Sequence, residues 1–140
     1  MRAAAWQQIT AQWWQQERTQ YELYTSALVI KETSQGDAEA AKRRLQVLAD
    51  LSELTVDDEV ERLADRLMEG GGVPAGAEGD ALHIAVAAVH EADYLLTWNC
   101  RHIDNAVTKP IIRSLCVVAG YTCPEICTPV ELLSEDFSDV

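Results

Sequence analysis

Two rhythms of apolar residues alternate along the chain. Over 3–18, Trp6, Ile9 and Trp13 fall at helical spacing amid Ala and Gln, which favour helix. Tyr21-Glu22-Leu23-Tyr24-Thr25 is a short aromatic run that predicts a strand. Ser26 is placed to cap a helix from Ala27 through Glu32 that ends near Gly36. Asp37 caps the next, whose apolar stripe is Ala38, Ala41, Leu45 and Leu48. Leu51 to Val56 predicts a second strand. Asp57 caps a further helix with Val60, Leu63, Ala64, Leu67 and Met68 on one face, stopped by Gly70-Gly71-Gly72.

The second half sharpens the pattern. Residues 80–92 are apolar on most sides, as a buried helix is. Asp93 to Trp98 runs without alternation, which predicts a central parallel strand. A polar loop, Asn99 to Asn105, follows. A helix then begins near Thr108, tolerates Pro110 in its first turn and buries Ile111, Leu115, Val118 and Ala119. Glu125 to Thr128 predicts a last strand, and Pro129 opens a terminal helical turn. Helices between successive strands imply an α/β sandwich with a mainly parallel sheet, right-handed crossovers and layers of helix on the sheet faces. One domain over 1–134 with an acidic tail over 135–140 is expected, with no internal repeat. In such sheets chemistry gathers at the carboxyl ends of the strands, where the 99–105 loop and the region after Thr25 lie.

Composition narrows the function. At 140 residues the chain is long enough for one sizeable core, and 48% apolar with 24% charged residues is ordinary for a soluble domain. No apolar run approaches the roughly 18 residues that cross a bilayer. The start has no apolar signal-peptide core, so a cytoplasmic protein without membrane attachment is expected. The net charge of −12 argues against tight, charge-driven binding to a long nucleic-acid backbone. It leaves room for a nuclease that meets phosphate through a metal held by carboxylates. Cys100, Cys116, Cys123 and Cys127 lack zinc-knuckle spacing and read as free, partly buried thiols. No G-x-G-x-x-G, P-loop or G-x-S-x-G occurs, and Gly70–Gly72 follows a helix rather than a strand, a poor phosphate cradle.

Several side chains carry both a functional and a plain reading. Asp80 opens a buried helix beside Gly79 and is either a ligand or that helix's N-cap. His83 lies one turn on, so both can point into one cleft. His90, seven residues from His83 and about 10 Å along the axis, is too far to share a metal with it and suits the helix C-terminus instead. Asn99 ends the central strand, facing what Asp80 faces or merely turning the chain. Glu32 follows Leu28 and Val29 and is either a site carboxylate or an exposed one. Trp6, Trp13 and Trp14 are core under the sheet or a contact surface.

Those residues share a pattern. Asp80-Ala81-Leu82-His83-Ile84-Ala85, followed by Asp93-Tyr94-Leu95-Leu96-Thr97-Trp98-Asn99-Cys100-Arg101-His102-Ile103, resembles the second half of PIN domains, and more closely the VapC-like branch with a T-W-N-x-x-H-I loop. Ser26 to Glu32, with Gly36-Asp37, resembles that family's second motif, and Ile126 to Leu133 its usual ending.

The resemblance implies a metal-dependent endoribonuclease of the toxin–antitoxin type. Mg²⁺ or Mn²⁺ would lie between acidic side chains, with Glu32 and Asp80 matching two positions and Asn99 standing where many members have Asp. Neutral Asn ligates a hard cation through its carbonyl oxygen but adds no charge, which lowers affinity. Thr97 and His102 would orient water or phosphate, and Arg101, Lys109 and Arg113 would steady the RNA.

PIN domains typically open with a central strand ending in Asp-Thr or Asp-Ser, and nothing of that kind precedes Trp6. The expectations are therefore a missing first central strand, unpaired inner edges on the strands at 21–25 and 93–98, and impaired activity of the chain as written. A start codon further upstream accounts for this pattern. The rival reading is a non-catalytic PIN-fold module that binds an antitoxin-like protein, RNA, or itself as a homodimer.

Overall fold

A computed structural model describes residues 14–15, 20–97 and 105–127. The elements run β1 (Tyr24–Ser26), α1 (Ala27–Thr33), α2 (Ala38–Leu48), β2 (Ser52–Leu54), α3 (Asp58–Glu69), α4 (Glu78–Val89), β3 (Tyr94–Leu96), α5 (Lys109–Val118) and β4 (Glu125–Cys127). The order is the expected alternation of helix and strand, an α/β fold with parallel pairing. The helix expected over 3–18 is helical at 14–15 and otherwise lies outside the described residues, as do the turn at Pro129 and the acidic tail.

Local chemistry sets the helix starts. Ser26 ends β1 and caps α1, its hydroxyl accepting from the Val29 amide at 3.3 Å. Asp37 accepts from the Ala40 amide at 3.0 Å and Asp57 from the Val60 amide at 3.1 Å, capping α2 and α3. Each satisfies one of the amides that a helix start leaves without an intrahelical partner. After α3 the chain turns through Gly70 and Gly71, the latter at φ 79°, a conformation that suits glycine.

The core lies between α3 and α4. Val60, Leu63, Ala64 and Leu67 of α3 are buried against Ala81, Ile84, Ala85 and Ala88 of α4, closed by Ile112, Cys116 and Ile126. Met68 is only partly buried. The face that α5 buries differs from the expected one. Ile112 and Cys116 are fully enclosed, whereas Ile111 is 38% and Val118 79% exposed, and Leu115 and Ala119 are half-buried. Two adjacent rows of this helix are apolar, so periodicity does not choose between them. Packing on α3 does: Leu115 lies against Gly70 and Ile112 against Gly72.

The strands form two separate two-stranded sheets. β1 pairs with β2 in register Tyr24↔Ser52 to Ser26↔Leu54, and β3 with β4 in register Tyr94↔Glu125 to Leu96↔Cys127. Among the described residues no strand joins β1 to β3. Between the two pairs lies a cavity of about 330 Å³, lined by residues of β1, β3, α2 and α4. No helix among the described residues is long and apolar enough to cross a membrane.

Candidate functional site

Glu32 stands in the last turn of α1, just beyond the carboxyl end of β1. Its Oε1 lies 2.8 Å from His83 Nε2, across 51 residues of sequence. The His83 side chain is 16% and the Glu32 side chain 56% exposed, so the pair sits at the surface, with the imidazole the better enclosed partner. The second oxygen, Oε2, lies 3.7 Å from where a Cβ on Gly79 would stand. Gly79 thus leaves this carboxylate in ordinary contact distance of the first turn of α4, next to Asp80. Helix α4 is positioned by its own burial: Ala81, Ile84, Ala85 and Ala88 anchor one side in the core, which holds His83 at the rim.

Asp80 is not a helix cap. It is the third residue of α4; the cap position is Ala77, which makes no side-chain capping bond. The capping explanation therefore fails at this residue. With Glu78 it sets negative charge in the first turn of α4, where the helix dipole favours it. Asp80 is half-buried beside a shallow hollow that also includes Pro74, Gly76 and Gly79.

Thr97 follows β3, its amide donating to the Cys127 carbonyl at 2.9 Å; the strand expected over 93–98 ends at Leu96, and Trp98 lies outside the described residues. Asn99, Arg101 and His102 lie outside the described residues. Lys109 opens α5, with its amide on the Asn105 carbonyl at 2.9 Å. Arg113 is drawn elsewhere: its guanidinium is 3.7 Å from Glu125, the first residue of β4 and hence at the amino end of the strand. The structure thus brings Glu32, His83 and the turn bearing Asp80 together, and separates Arg113 from the carboxyl ends. Among the described residues no group of three His, Cys, Asp or Glu converges as a metal site would require.

His90 is the C-cap residue of α4 and its Nε2 lies 2.8 Å from the Thr55 carbonyl, tying the helix end to the segment after β2. Its role is structural. Cys116, Cys123 and Cys127 are free thiols. Cys116 donates to the Cys123 sulfur, and this bond with burial pushes its pKa far up. The same bond pulls the Cys123 thiol below its ordinary value, while Cys123 also bonds the Pro124 carbonyl at 3.3 Å.

Two features escaped the sequence. One is the Glu32–His83 pair, for which local spacing holds no signal. The other is Thr25, which is 5% exposed, lines the cavity between the sheets, and has a hydroxyl with no hydrogen-bond partner among the described residues.

Comparison with known proteins adds one positive finding. The sequence model of the PIN domain matches residues 2–106, about three quarters of the chain. No curated protein and no solved structure gives a significant match. PIN domains are a nuclease-type fold whose members generally bind nucleic acid and use divalent metal ions. With an α/β order, parallel pairing and a family match over most of its length, the chain belongs to the PIN domain family.

Proposed function

We propose that this PIN domain is a metal-dependent endoribonuclease of the VapC toxin type, acting through Glu32 and Asp80, with Asn99 as a neutral third ligand. The observation that carries the reading is the approach of Glu32 to α4: one oxygen on His83, the other beside Gly79, one residue before Asp80. Carboxylate oxygens fit Mg²⁺ or Mn²⁺ in donor chemistry. In number the described residues fall short of a full ligand set, and Asn99 and His102 belong to the segment outside them.

A divalent ion bound there supplies polarisation of the scissile phosphate and an attacking water of lowered pKa. The protein's own groups do the rest. His83 fixes the Glu32 carboxylate through Oε1 and so presents Oε2, a positioning role rather than a chemical one. Thr97 and His102 orient water or phosphate, and Arg101 and Lys109 steady the RNA backbone. Arg113, engaged with Glu125, contributes least. With a net charge of −12, RNA is held by these local contacts and not by a basic surface.

The same reading has the protein acting in the cytoplasm, neutralised by an antitoxin-like partner and assembled as a homodimer. Support for self-association is the row of apolar side chains left exposed on and before α5, Val107 at 78%, Val117 at 67% and Val118 at 79%.

The test is cleavage of a mixed RNA substrate in Mn²⁺, with Mn²⁺ affinity measured alongside. Asp80→Asn and Glu32→Gln are each expected to lower cleavage about a hundredfold and weaken Mn²⁺ binding about tenfold, because each removes a ligand charge. His83→Ala is expected to cost about tenfold, as loss of an orienting partner does. Undiminished cleavage in both carboxylate variants sinks the reading.

A non-catalytic interaction module is the second reading. It is favoured by the open apolar cavity between the sheets and the exposed Tyr24, Tyr94 and Leu96 beside it. A chain that binds Mn²⁺ no better than its Asp80→Asn variant, yet shifts in size-exclusion elution with a co-expressed neighbour, would support the module over the nuclease.

A further inference from the structure

The turn from α5 into β4 brings two thiols together, and its backbone explains how. α5 ends at Val118, with Ala119 as its cap. The Gly120 amide donates to the Val117 carbonyl at 3.0 Å and the Tyr121 amide to the Cys116 carbonyl at 2.9 Å. With Gly120 at φ 94°, this is the paired closure by which a left-handed residue reverses the chain at a helix end. The chain folds back, and Cys123 returns to Cys116, whose thiol donates to its sulfur. Cys123 also donates to the Pro124 carbonyl at 3.3 Å, which orients its side chain. The two partners differ in access. Cys116 is sealed in the core with Ile112 and Ile126, whereas Cys123 is only partly buried and follows the exposed Thr122. They differ in charge as well. The bond from Cys116 lowers the Cys123 pKa against burial, with Arg113 adding to the lowering and Glu125 opposing it. That same bond, with burial, pushes the Cys116 thiol up. One sulfur is thus reachable and inclined to the thiolate, and the other is a shielded thiol in contact with it. Among the described residues no group of three His, Cys, Asp or Glu gathers around the pair as a metal site would need.

We propose that Cys116 and Cys123 are a reversible redox pair, in which Cys123 exchanges with a small-molecule disulfide and Cys116 resolves the product into a bridge between the end of α5 and the approach to β4. The Cys123 thiolate attacks one sulfur of the small disulfide, forming a new S–S bond and expelling one thiolate. Cys116 then attacks the Cys123 sulfur, and its proton passes to the second departing thiolate. Two protein thiols are oxidised to one disulfide, and the small disulfide is reduced to two thiols. Sulfurs already in contact need little backbone movement to reach the bonded separation of about 2.05 Å. An excess of small thiol reverses both steps. The proposal stands apart from the nuclease reading, since neither cysteine is assigned to metal or RNA.

The test uses the full chain, equilibrated with glutathione disulfide and glutathione, quenched in acid and read by mass. Loss of two free thiols without added glutathione is expected. Cleavage after Tyr121 and Glu125 puts Cys116, Cys123 and Cys127 on separate peptides, and the linked pair is expected to be Cys116 with Cys123. Cys116→Ser removes the resolving thiol and is expected to retain glutathione on Cys123. Cys123→Ser is expected to slow modification of Cys116 at least about tenfold, since the buried sulfur then has no reachable neighbour to relay the exchange. Bridging is expected to raise the thermal midpoint by several degrees, and dithiothreitol to reverse the rise. Should either variant fail to fold, the parent chain carries the test alone. At a fixed glutathione ratio, its ratio of bridged to reduced pair is expected to be at least about tenfold higher in the native chain than in urea. An equal or lower ratio in the native chain overturns the proposal. So does glutathione that stays on Cys123 of the parent, or a bridge that joins Cys127 or Cys100 instead.

Discussion

The α3–α4 side of the molecule and the β1–β3 side both present apolar side chains to their neighbours, yet one is closed and the other is not. On the helical side, Leu63, Leu67 and Ile84 are all but sealed from solvent. On the strand side, Tyr24 is 49%, Tyr94 47% and Leu96 37% exposed around an open cavity. The difference follows from where each element finds its hydrogen bonds. A helix satisfies its backbone within itself and needs only a partner for its apolar stripe, which α3 and α4 give each other. A strand satisfies half of its backbone on each side, so two strand pairs that no third strand joins among the described residues expose edges and side chains there.

The comparison predicts very different costs for the same truncation on the two sides. Leu67→Ala is expected to lower unfolding stability by about 2–5 kcal/mol, since a fully enclosed side chain leaves a cavity the surroundings cannot close. Leu96→Ala, already partly in solvent, is expected to cost under about 1 kcal/mol. Urea titration of both variants checks this. Equal costs would mean that the strand side is covered in solution.

The two sides also differ in how far they are legible in sequence. The caps at Ser26, Asp37 and Asp57 act within three residues, so a local pattern is enough to find them. The stripe of α3 and the all-round apolar character of α4 name the core directly. The buried face of α5 is not so readable, because Ile111 and Ile112 are equally apolar and only contact with the glycines after α3 chooses between them. Asp80 looks like a cap because it stands before a buried helix, but α4 begins two residues earlier, at Glu78. Glu32 and His83 were each visible as candidates, while their meeting depends on the path of 51 residues and no spacing rule expresses it. The orphan state of the Thr25 hydroxyl among the described residues was not foreseen, since burial of one threonine has no signature in sequence.

A gain is expected where the open side carries a defect. Thr25→Val keeps the shape and the strand preference of the residue and removes a buried hydroxyl that makes no bond among the described residues. Stability of the isolated chain is expected to rise by about 1 kcal/mol. A loss of similar size instead would show that the hydroxyl is bonded in solution, and the contrast between the two sides would then be smaller than the structure makes it.

A slightly smaller gain is expected at the junction between the sides. Glu91 follows the C-cap of α4 at φ 60°, and the Ala92 amide returns to the Ala87 carbonyl at 2.8 Å, which closes the helix end before β3. This is the position at which helices commonly place glycine. Glu91→Gly is expected to add roughly 0.5–1 kcal/mol, because relief of the left-handed strain exceeds the added chain entropy. If the variant is instead destabilised, the turn owes its shape to contacts of the Glu91 side chain.

The smallest effect is expected at Tyr121, which ties the segment before β4 to the first turn of α3 through its hydroxyl on the Glu59 carboxylate. That hydrogen bond raises the pKa of the phenol above its ordinary value, with burial and the Glu59 charge acting in the same direction and Arg62 and Arg66 against it. A group whose pKa is raised on folding contributes stability that is fully present below its unfolded value, near 10 for tyrosine, and is lost as pH climbs through the folded value. The tie therefore holds at neutral pH and releases only in the alkaline range. Because the phenol is exposed, solvent screening keeps the contribution small. Tyr121→Phe is expected to leave the neutral-pH midpoint nearly unchanged and to flatten the alkaline decline in stability. A variant that declines as steeply as the parent would show that the helical and strand sides are joined through other contacts, the Cys116–Cys123 pair foremost among them.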